Sequence, residues 1–320
     1  MRILLTEPEG FSSQALQKLC NLGEVDLLPN LNRSIDEIIA RYDVVVVRLG
    51  VPIDQILLER AERLKCVISP TTGLDHIDLE YAQKSGIRVI SLRGETTFLE
   101  SIPSTAEHTW ALLMAIVKNI PKALEDVAEG QWRRQKFRGH NLRGRILGLL
   151  GLGRVGKQVA SFAKAFGMEV IAHDADASIQ LDDVEIVSVD KLFQDADYLS
   201  IHIPLSENTE GCISNSLLEQ SKKGQIIVNT SRGGVWDELA VYRHLRSGVL
   251  SGVATDVLSG ELNGRWEDSP LINGLREGLN VLITPHIAGA TFESMHMTED
   301  FVVEEFCRSE LFSRGEGFYK

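Results

Sequence analysis

The chain has 320 residues, 43% of them hydrophobic, with 33 Lys and Arg against 45 Asp and Glu and a net charge of −12. That length corresponds to about two domains of roughly 150 residues each, with enough apolar residues for substantial cores. The acidic balance, without any block of Lys or Arg, argues against nucleic-acid or anionic-membrane partners, so an anionic substrate needs a local basic pocket.

Met1-Arg2 runs directly into Ile3-Leu4-Leu5, which is too short for a signal peptide and is expected to be a first strand. Ile3–Leu5, Val44–Val47, Val67–Ile68 and Arg88–Ile90 have the form of buried strands, and Ser12–Leu19 and Ser34–Ala40 have helical periodicity between them. Apolar runs without alternation indicate a sheet covered on both faces, hence parallel α/β. Pro103-Ser104-Thr105-Ala106-Glu107 then opens a helix with Trp110–Val117 as its apolar body. Ser104 with Glu107 reads as a capping box. This segment fits an ordinary buried helix or an inter-domain hinge helix equally well.

The strand pattern restarts at Arg145–Leu150 and enters Gly151-Leu-Gly153-Arg-Val-Gly156. Gly-rich turns are common, but here a strand precedes the motif and a helix follows it, with Val155, Val159, Phe162, Ala163 and Phe166 at helical spacing. Gly151 permits the tight turn, Gly153 the approach of a pyrophosphate, and Gly156 close packing of helix on strand. A second strand, Val170–Ala172, ends at His173-Asp174, close to the ~20-residue separation at which a carboxylate binds an adenosine ribose. From His173 to Gln180 there is no Arg or Lys for a 2′-phosphate, so NAD is expected over NADP.

Three later strands each end in a polar residue, at the rim where open α/β sheets bind ligands. They are Ile226–Asn229 before Arg232, Gly252–Thr255 before Glu261, and Asn280–Thr284 before His286. Arginine can hold a carboxylate bidentately, a histidinium can give a proton to a carbonyl oxygen, and a carboxylate can keep that histidine charged. Taken singly, Arg232 also fits a helix cap, Glu261 a solvated loop residue and His286 a structural histidine. His173, His202, His244 and His286 lack metal-ligand spacing, so no metal is expected. Cys20, Cys66, Cys212 and Cys307 are scattered without a CxxC, which suggests neither zinc nor a disulfide framework and points to a reducing cytoplasm. The longest uncharged stretch, Gly278–Phe292, contains Pro285 and falls short of the ~20 apolar residues of a membrane helix. Phe292–Arg314 is again helical and is expected to return to the first domain.

Several of these segments together carry a resemblance. Thr71-Thr-Gly73-Leu-Asp-His-Ile-Asp78, Ser104-Thr-Ala-Glu107-His, Leu142 through Gly156, His202-Ile-Pro-Leu205, Asn229-Thr-Ser-Arg-Gly-Gly234 and Thr284-Pro-His-Ile-Ala-Gly-Ala-Thr291 span nearly the whole chain. The sequence resembles the D-isomer-specific 2-hydroxyacid dehydrogenase family, which includes phosphoglycerate dehydrogenases and glyoxylate/hydroxypyruvate reductases. The resemblance implies two doubly wound Rossmann-like α/β domains. A discontinuous substrate domain would cover 1–100 and 291–320, an NAD-binding domain 101–290, with the active site in the cleft. It implies reversible hydride transfer between NAD(H) and C2 of a D-2-hydroxy or 2-keto acid. His286 would be the acid/base, Glu261 would keep it protonated, and Arg232 would hold substrate carboxylate and carbonyl.

By the same resemblance Thr72, Gly151, Gly153, Arg154, Val155, Gly156, Asp174, His202, Ile203, Pro204, Thr209, Thr230, Ser231, Asp256, Ala288 and Gly289 would contact the cofactor. Asp256 would orient the nicotinamide carboxamide. Arg48, Thr72 and Gly73 would join Arg232 on the substrate, and Lys122–Asn141, with Trp132, would form a homodimer contact. The chain departs from the family pattern in having Leu262 where Pro usually follows the catalytic Glu, Ser259-Gly260 before that Glu, and a longer Arg93–Ser101 connection. Two other readings share the scaffold, a non-enzymatic NAD-sensing corepressor and a formate dehydrogenase. The latter characteristically pairs its His with Gln rather than Glu. The stretch after His286 is expected to form one closing helix and to be too short for a further folded domain, so serine is expected to leave the rate unchanged.

Overall fold

A computed structural model describes residues 1–313. The chain divides into two compact units, one of Met1–Ser101 with the described residues from Ala290 onward, the other of Ile102–Gly289.

The first unit is built on five parallel strands, β1 (Arg2–Leu5), β2 (Glu24–Leu27), β3 (Val44–Val46), β4 (Cys66–Ser69) and β5 (Arg88–Ser91). They lie in the order β2-β1-β3-β4-β5. The β-branched run Val44-Val45-Val46 is buried throughout, as a strand covered by helices on both faces requires. The order reverses between β1 and β3, which makes the ends of those strands a ligand crevice of this sheet type. The helix Phe292–Ser313 packs against the helix Ser13–Leu22 and against β4 and β5. It buries Val302, Val303 and Phe306, and Phe98 stacks on its Phe301 at 4.1 Å. Arg314, the expected end of this helix, lies outside the described residues, as does the rest of the chain to Lys320.

The second unit has seven parallel strands. They are β6 (Ile146–Leu150), β7 (Glu169–His173), β8 (Glu185–Ile186), β9 (Tyr198–Ile201), β10 (Gln225–Asn229), β11 (Leu250–Thr255) and β12 (Val281–Ile283). Their order, β12-β11-β10-β9-β6-β7-β8, is the dinucleotide-binding order with one strand added, reversing between β6 and β9. One face packs Phe193, Leu199, Ile227 and Val253. The other packs Leu147, Leu149, Val159 and Val228 with the helix Ser104–Val117. That helix is a core element of this unit, burying Ala106, Leu112, Leu113 and Ile116.

Ser12, Asp54, Asp78, Ser188, Asp237 and Ser269 each accept a first-turn N–H of the helix they open, a cap worth about 1 kcal/mol. The capping box expected at Ser104 is a correction. The helix starts one residue sooner, Pro103 stands at the cap, and the Ser104 hydroxyl is buried inside the first turn. Pro103 already has near-helical backbone angles, φ −92° and ψ −19°, so the chain turns into the helix before Ser104 and leaves its hydroxyl no cap position. Among the described residues no helix is long and apolar enough to cross a membrane.

Candidate functional site

The glycine loop follows β6. Gly151 sits at φ 96°, and a Cβ there would lie 2.7 Å from the His202 carbonyl oxygen. A Cβ on Gly156 would lie 2.3 Å from the Gly151 oxygen. Both glycines are therefore required by the protein's own backbone. Gly153 differs, because a Cβ there meets nothing within 4 Å. It faces open space at the start of the helix Arg154–Ala165, where a side chain would only obstruct a phosphate seated on the first-turn N–H groups. The loop is fastened to the end of β7, since Asp174 Oδ2 accepts the Leu152 N–H at 2.7 Å and Oδ1 the Asp176 N–H at 2.9 Å.

At the switch point His202 donates its N–H to Leu150 O at 2.7 Å, and its Nε2 meets Ser200 Oγ at 2.8 Å. Burial, then the charge of Arg154, pushes this histidine down to about 3, so it is a neutral ring near pH 7. Arg154 gives Nη1 to Ile102 O at 3.0 Å, and burial lowers it from its ordinary value. Val155 and Ile203 are half-buried and Pro204 is exposed. The Thr209 hydroxyl donates to Pro204 O at 2.6 Å, fixing the turn after β9.

The loops after β10, β11 and β12 are adjacent because their strands are hydrogen-bonded neighbours. Asn229 shapes the first. Its Oδ1 accepts Ser231 N–H at 3.0 Å and Ser231 Oγ–H at 2.8 Å, and its Nδ2 donates to Arg232 O at 3.0 Å. Thr230 is held by Thr109 through a 2.6 Å hydroxyl contact. A Cβ on Gly233 would fall 2.1 Å from Leu258 C and 2.3 Å from Ser259 N, so backbone touches backbone beside Arg232.

Glu261 accepts Leu258 N–H on Oε2 at 2.9 Å and faces His286 Nδ1 with Oε1 at 2.6 Å. His286 stands in the left-handed region at φ 54°, a non-glycine strain of order 1–3 kcal/mol that clusters at functional positions. Asp256, 1% exposed, holds it there. The Asp256 carbonyl accepts His286 N–H at 2.8 Å. Its carboxylate accepts Thr284 Oγ1–H at 2.5 Å, Ile287 N–H at 2.9 Å and Ala288 N–H at 2.7 Å. His108 Nε2 lies 3.4 Å from the same carboxylate and 3.0 Å from Thr284 Oγ1. Burial pushes Asp256 up, but the donors His108, Thr284, Ile287 and Ala288 prevail and hold it below the usual carboxylate range. At Gly289 a Cβ would meet nothing within 4 Å.

Arg48, Thr72 and Gly73 belong to the other unit, after β3 and β4. Thr72 is exposed, and the Thr71 hydroxyl donates to Gly73 O at 2.9 Å. The Arg48 guanidinium is already engaged. Nε reaches Glu299 Oε1 at 2.9 Å, Nη2 pairs with the same oxygen, and Nη1 donates to Glu9 O at 3.0 Å.

Residues 110–288 match the family model described as D-isomer specific 2-hydroxyacid dehydrogenase, NAD binding domain. The chain is 34% identical over 95% of its length to the hydroxypyruvate reductase of Thermotoga maritima, covering 96% of that protein. The chain belongs to the D-isomer-specific 2-hydroxyacid dehydrogenase family. It is also 35% identical over 95% of its length to the D-3-phosphoglycerate dehydrogenase of Methanocaldococcus jannaschii, though it spans only 56% of that enzyme. Among solved structures, the D-lactate dehydrogenase of Aquifex aeolicus, in complex with NAD and lactic acid, superposes with a TM-score of 0.81 at 26% identity, covering 98% of this chain and 96% of that one.

Within this 2-hydroxyacid dehydrogenase scaffold, side chains that sequence reasoning left unassigned organise the site. Asn229 sets the turn before Arg232, Thr284 and His108 bind Asp256, and Glu238 holds the loop of Glu261. The sequence signal of Asn229, Thr284 and His108 is that they lie inside the motif runs Ser104–His108, Asn229–Gly234 and Thr284–Thr291, while Glu238 lies four residues past Gly234.

Proposed function

We propose that this protein is an NAD-dependent D-2-hydroxyacid dehydrogenase that interconverts a small 2-keto acid and its 2-hydroxy acid. The observation that carries the reading is the 2.6 Å contact of His286 Nδ1 with Glu261 Oε1, on loops adjoining the one that presents Arg232. With Nδ1–H given to Glu261, Nε2 holds the exchangeable proton. In the reducing direction Nε2–H protonates the carbonyl oxygen, and Arg232 binds the substrate carboxylate and stabilises the developing alkoxide. Bound nicotinamide supplies the hydride in that direction and accepts it in the other. The open space at Gly153, a carboxylate (Asp174) at the end of β7 and the lack of Arg or Lys from His173 to Gln180 fit NAD. Asp256 would orient the carboxamide, with Thr72, Arg154, Val155, His202, Ile203, Pro204, Thr209, Thr230, Ser231, Ala288 and Gly289 completing the cofactor contacts. Thr72 and Gly73 would receive the substrate carboxylate.

For the far end of the substrate, the commitment of Arg48 to Glu299 supports a small acid such as glyoxylate or hydroxypyruvate over a phosphorylated one. The pairing of His286 with Glu261 disfavours a formate dehydrogenase, whose reaction needs no proton donor. Homodimerisation is proposed through the helix Ile120–Ala128 and the segment after it, where Ile120, Leu124, Val127 and Trp132 are exposed apolar groups. A reducing, cytoplasmic compartment is proposed from the scattered cysteines.

The test is NADH oxidation with glyoxylate, hydroxypyruvate and 3-phosphohydroxypyruvate, beside NAD reduction with formate. Turnover of the first two is expected. A kcat/KM for the phosphorylated acid tenfold above both, ~1.4 kcal/mol in transition-state binding, would contradict the assigned substrate size. Turnover confined to formate would contradict the reaction.

A further inference from the structure

Glu238 opens the helix Glu238–Ser247 and is 7% exposed. Its carboxylate reaches out of its own helix to both ends of the loop carrying Glu261. Oε1 accepts Ser259 N–H at 2.7 Å and Oε2 accepts Ser269 Oγ–H at 2.6 Å. Ser269 in turn accepts Leu271 N–H at 3.2 Å as the cap of the helix Pro270–Arg276. Between these anchors the backbone turns left-handed at Gly260, φ 78°, and Gly264, φ 68°. Glu261 stands in the short 3-10 turn Glu261–Asn263 that they bracket. Two glycines flanking one functional carboxylate leave its direction weakly determined by local backbone preference. The Leu258 N–H holds one Glu261 oxygen directly, and the placing of the loop that carries Glu261 falls to the contacts at its ends.

We infer that Glu238 is a positioning residue, a clasp whose two hydrogen bonds set the orientation of Glu261 toward His286 and so sustain proton delivery by His286. Burial raises the Glu238 carboxyl, with the Ser259 and Ser269 hydrogen bonds opposing and the Glu261 charge adding. The clasp works in either protonation state, because a neutral carboxyl still accepts from Ser259 and donates to Ser269. Other titratable or charged groups here are Asp237 beside Glu238, Arg265, Glu267 and Asp268 within the loop, Arg232 on the adjoining loop, and Asp256 with His108 next to His286.

The inference rests on His286 as proton donor in keto-acid reduction, and the test separates the two claims. The kcat profile of the wild type with NADH and glyoxylate should fall at high pH, and Glu261→Gln should move that fall to lower pH. If neither holds, the reading of His286 fails. If both hold, Glu238→Ala should lower kcat about tenfold and move the limb in the same direction by about half a pH unit or more, with NADH affinity unchanged. Glu238→Gln, which keeps both hydrogen bonds, should restore the limb. An unmoved limb in a folded Glu238→Ala protein, or an equal displacement in Glu238→Gln, overturns the clasp. Should Glu238→Ala fail to fold, Ser269→Ala removes one anchor only, and an unmoved limb there also overturns it.

Discussion

At the scale of single residues, the site depends on carboxylates with different tasks. Asp256 accepts from Thr284, Ile287 and Ala288 and fixes backbone, Glu261 keeps one oxygen for His286, and Asp174 combines a structural bond to Leu152 with a position at the end of β7. The account of Asp174 as ribose ligand makes NADH the better substrate, and Asp174→Ala should narrow the NADH-to-NADPH ratio of kcat/KM. A wild type with equal values for both cofactors would refute it. Some further activity loss is expected in the variant, because Leu152 N–H loses its acceptor. Strand ends in the sequence marked Arg232, Glu261 and His286 as polar residues past apolar runs, their joint role came only from the family resemblance, and the structure brings Glu261 and His286 into contact. The part played by His108 and Thr284 was not legible. Their role is a hydrogen bond across 176 positions of sequence, and no local pattern encodes a contact of that separation. Arg48 shows the opposite hazard, a well-placed arginine whose charge is met by a glutamate far along the chain.

At the scale of elements, that pair joins the loop after β3 to the helix Phe292–Ser313. Glu299 is 1% exposed and also accepts Ser12 N–H at 2.7 Å. Removing one partner of a buried pair leaves the other uncompensated, so Glu299→Ala should destabilise the first unit by about 3–5 kcal/mol in chemical denaturation. A loss below 1 kcal/mol would show Arg48 free to turn to solvent or substrate, and would reopen a phosphate-binding role. Strands in the middle of both sheets were readable as continuous apolar runs. Of the edge strands, β5 and β12 were readable too, whereas β2 (Glu-Val-Asp-Leu) and β8 (Glu-Ile) were not. An edge strand has one neighbour and partial exposure, so it needs no apolar run to be stable, only the backbone hydrogen bonds of the strand beside it.

At the scale of the whole molecule, acid sensitivity and association follow from different groups. His202 has an ordinary value of 6.5 and a folded value of about 3. Above pH 6.5 it is neutral in both states. As pH falls below that, the unfolded chain takes up a proton that the folded chain refuses, and stability is lost progressively toward pH 3. His202→Gln should therefore lose less Tm than the wild type between about pH 7.5 and pH 5, and an equal loss would contradict the assignment. Trp132, 86% exposed, stands beside Arg133, whose Nε is held by the buried Asp126 at 2.6 Å. If this face joins two copies, Leu124→Glu with Trp132→Glu should halve the mass seen by light scattering, and an unchanged mass would place the contact elsewhere. The central claim is that His286, paired to Glu261, delivers the proton in an NADH-dependent reduction. Its most direct test is His286→Asn, with glyoxylate turnover and NADH fluorescence titration measured on the same preparation. A fall in kcat of about 10²–10⁴-fold with NADH affinity retained is expected; activity within a few-fold of wild type would contradict it.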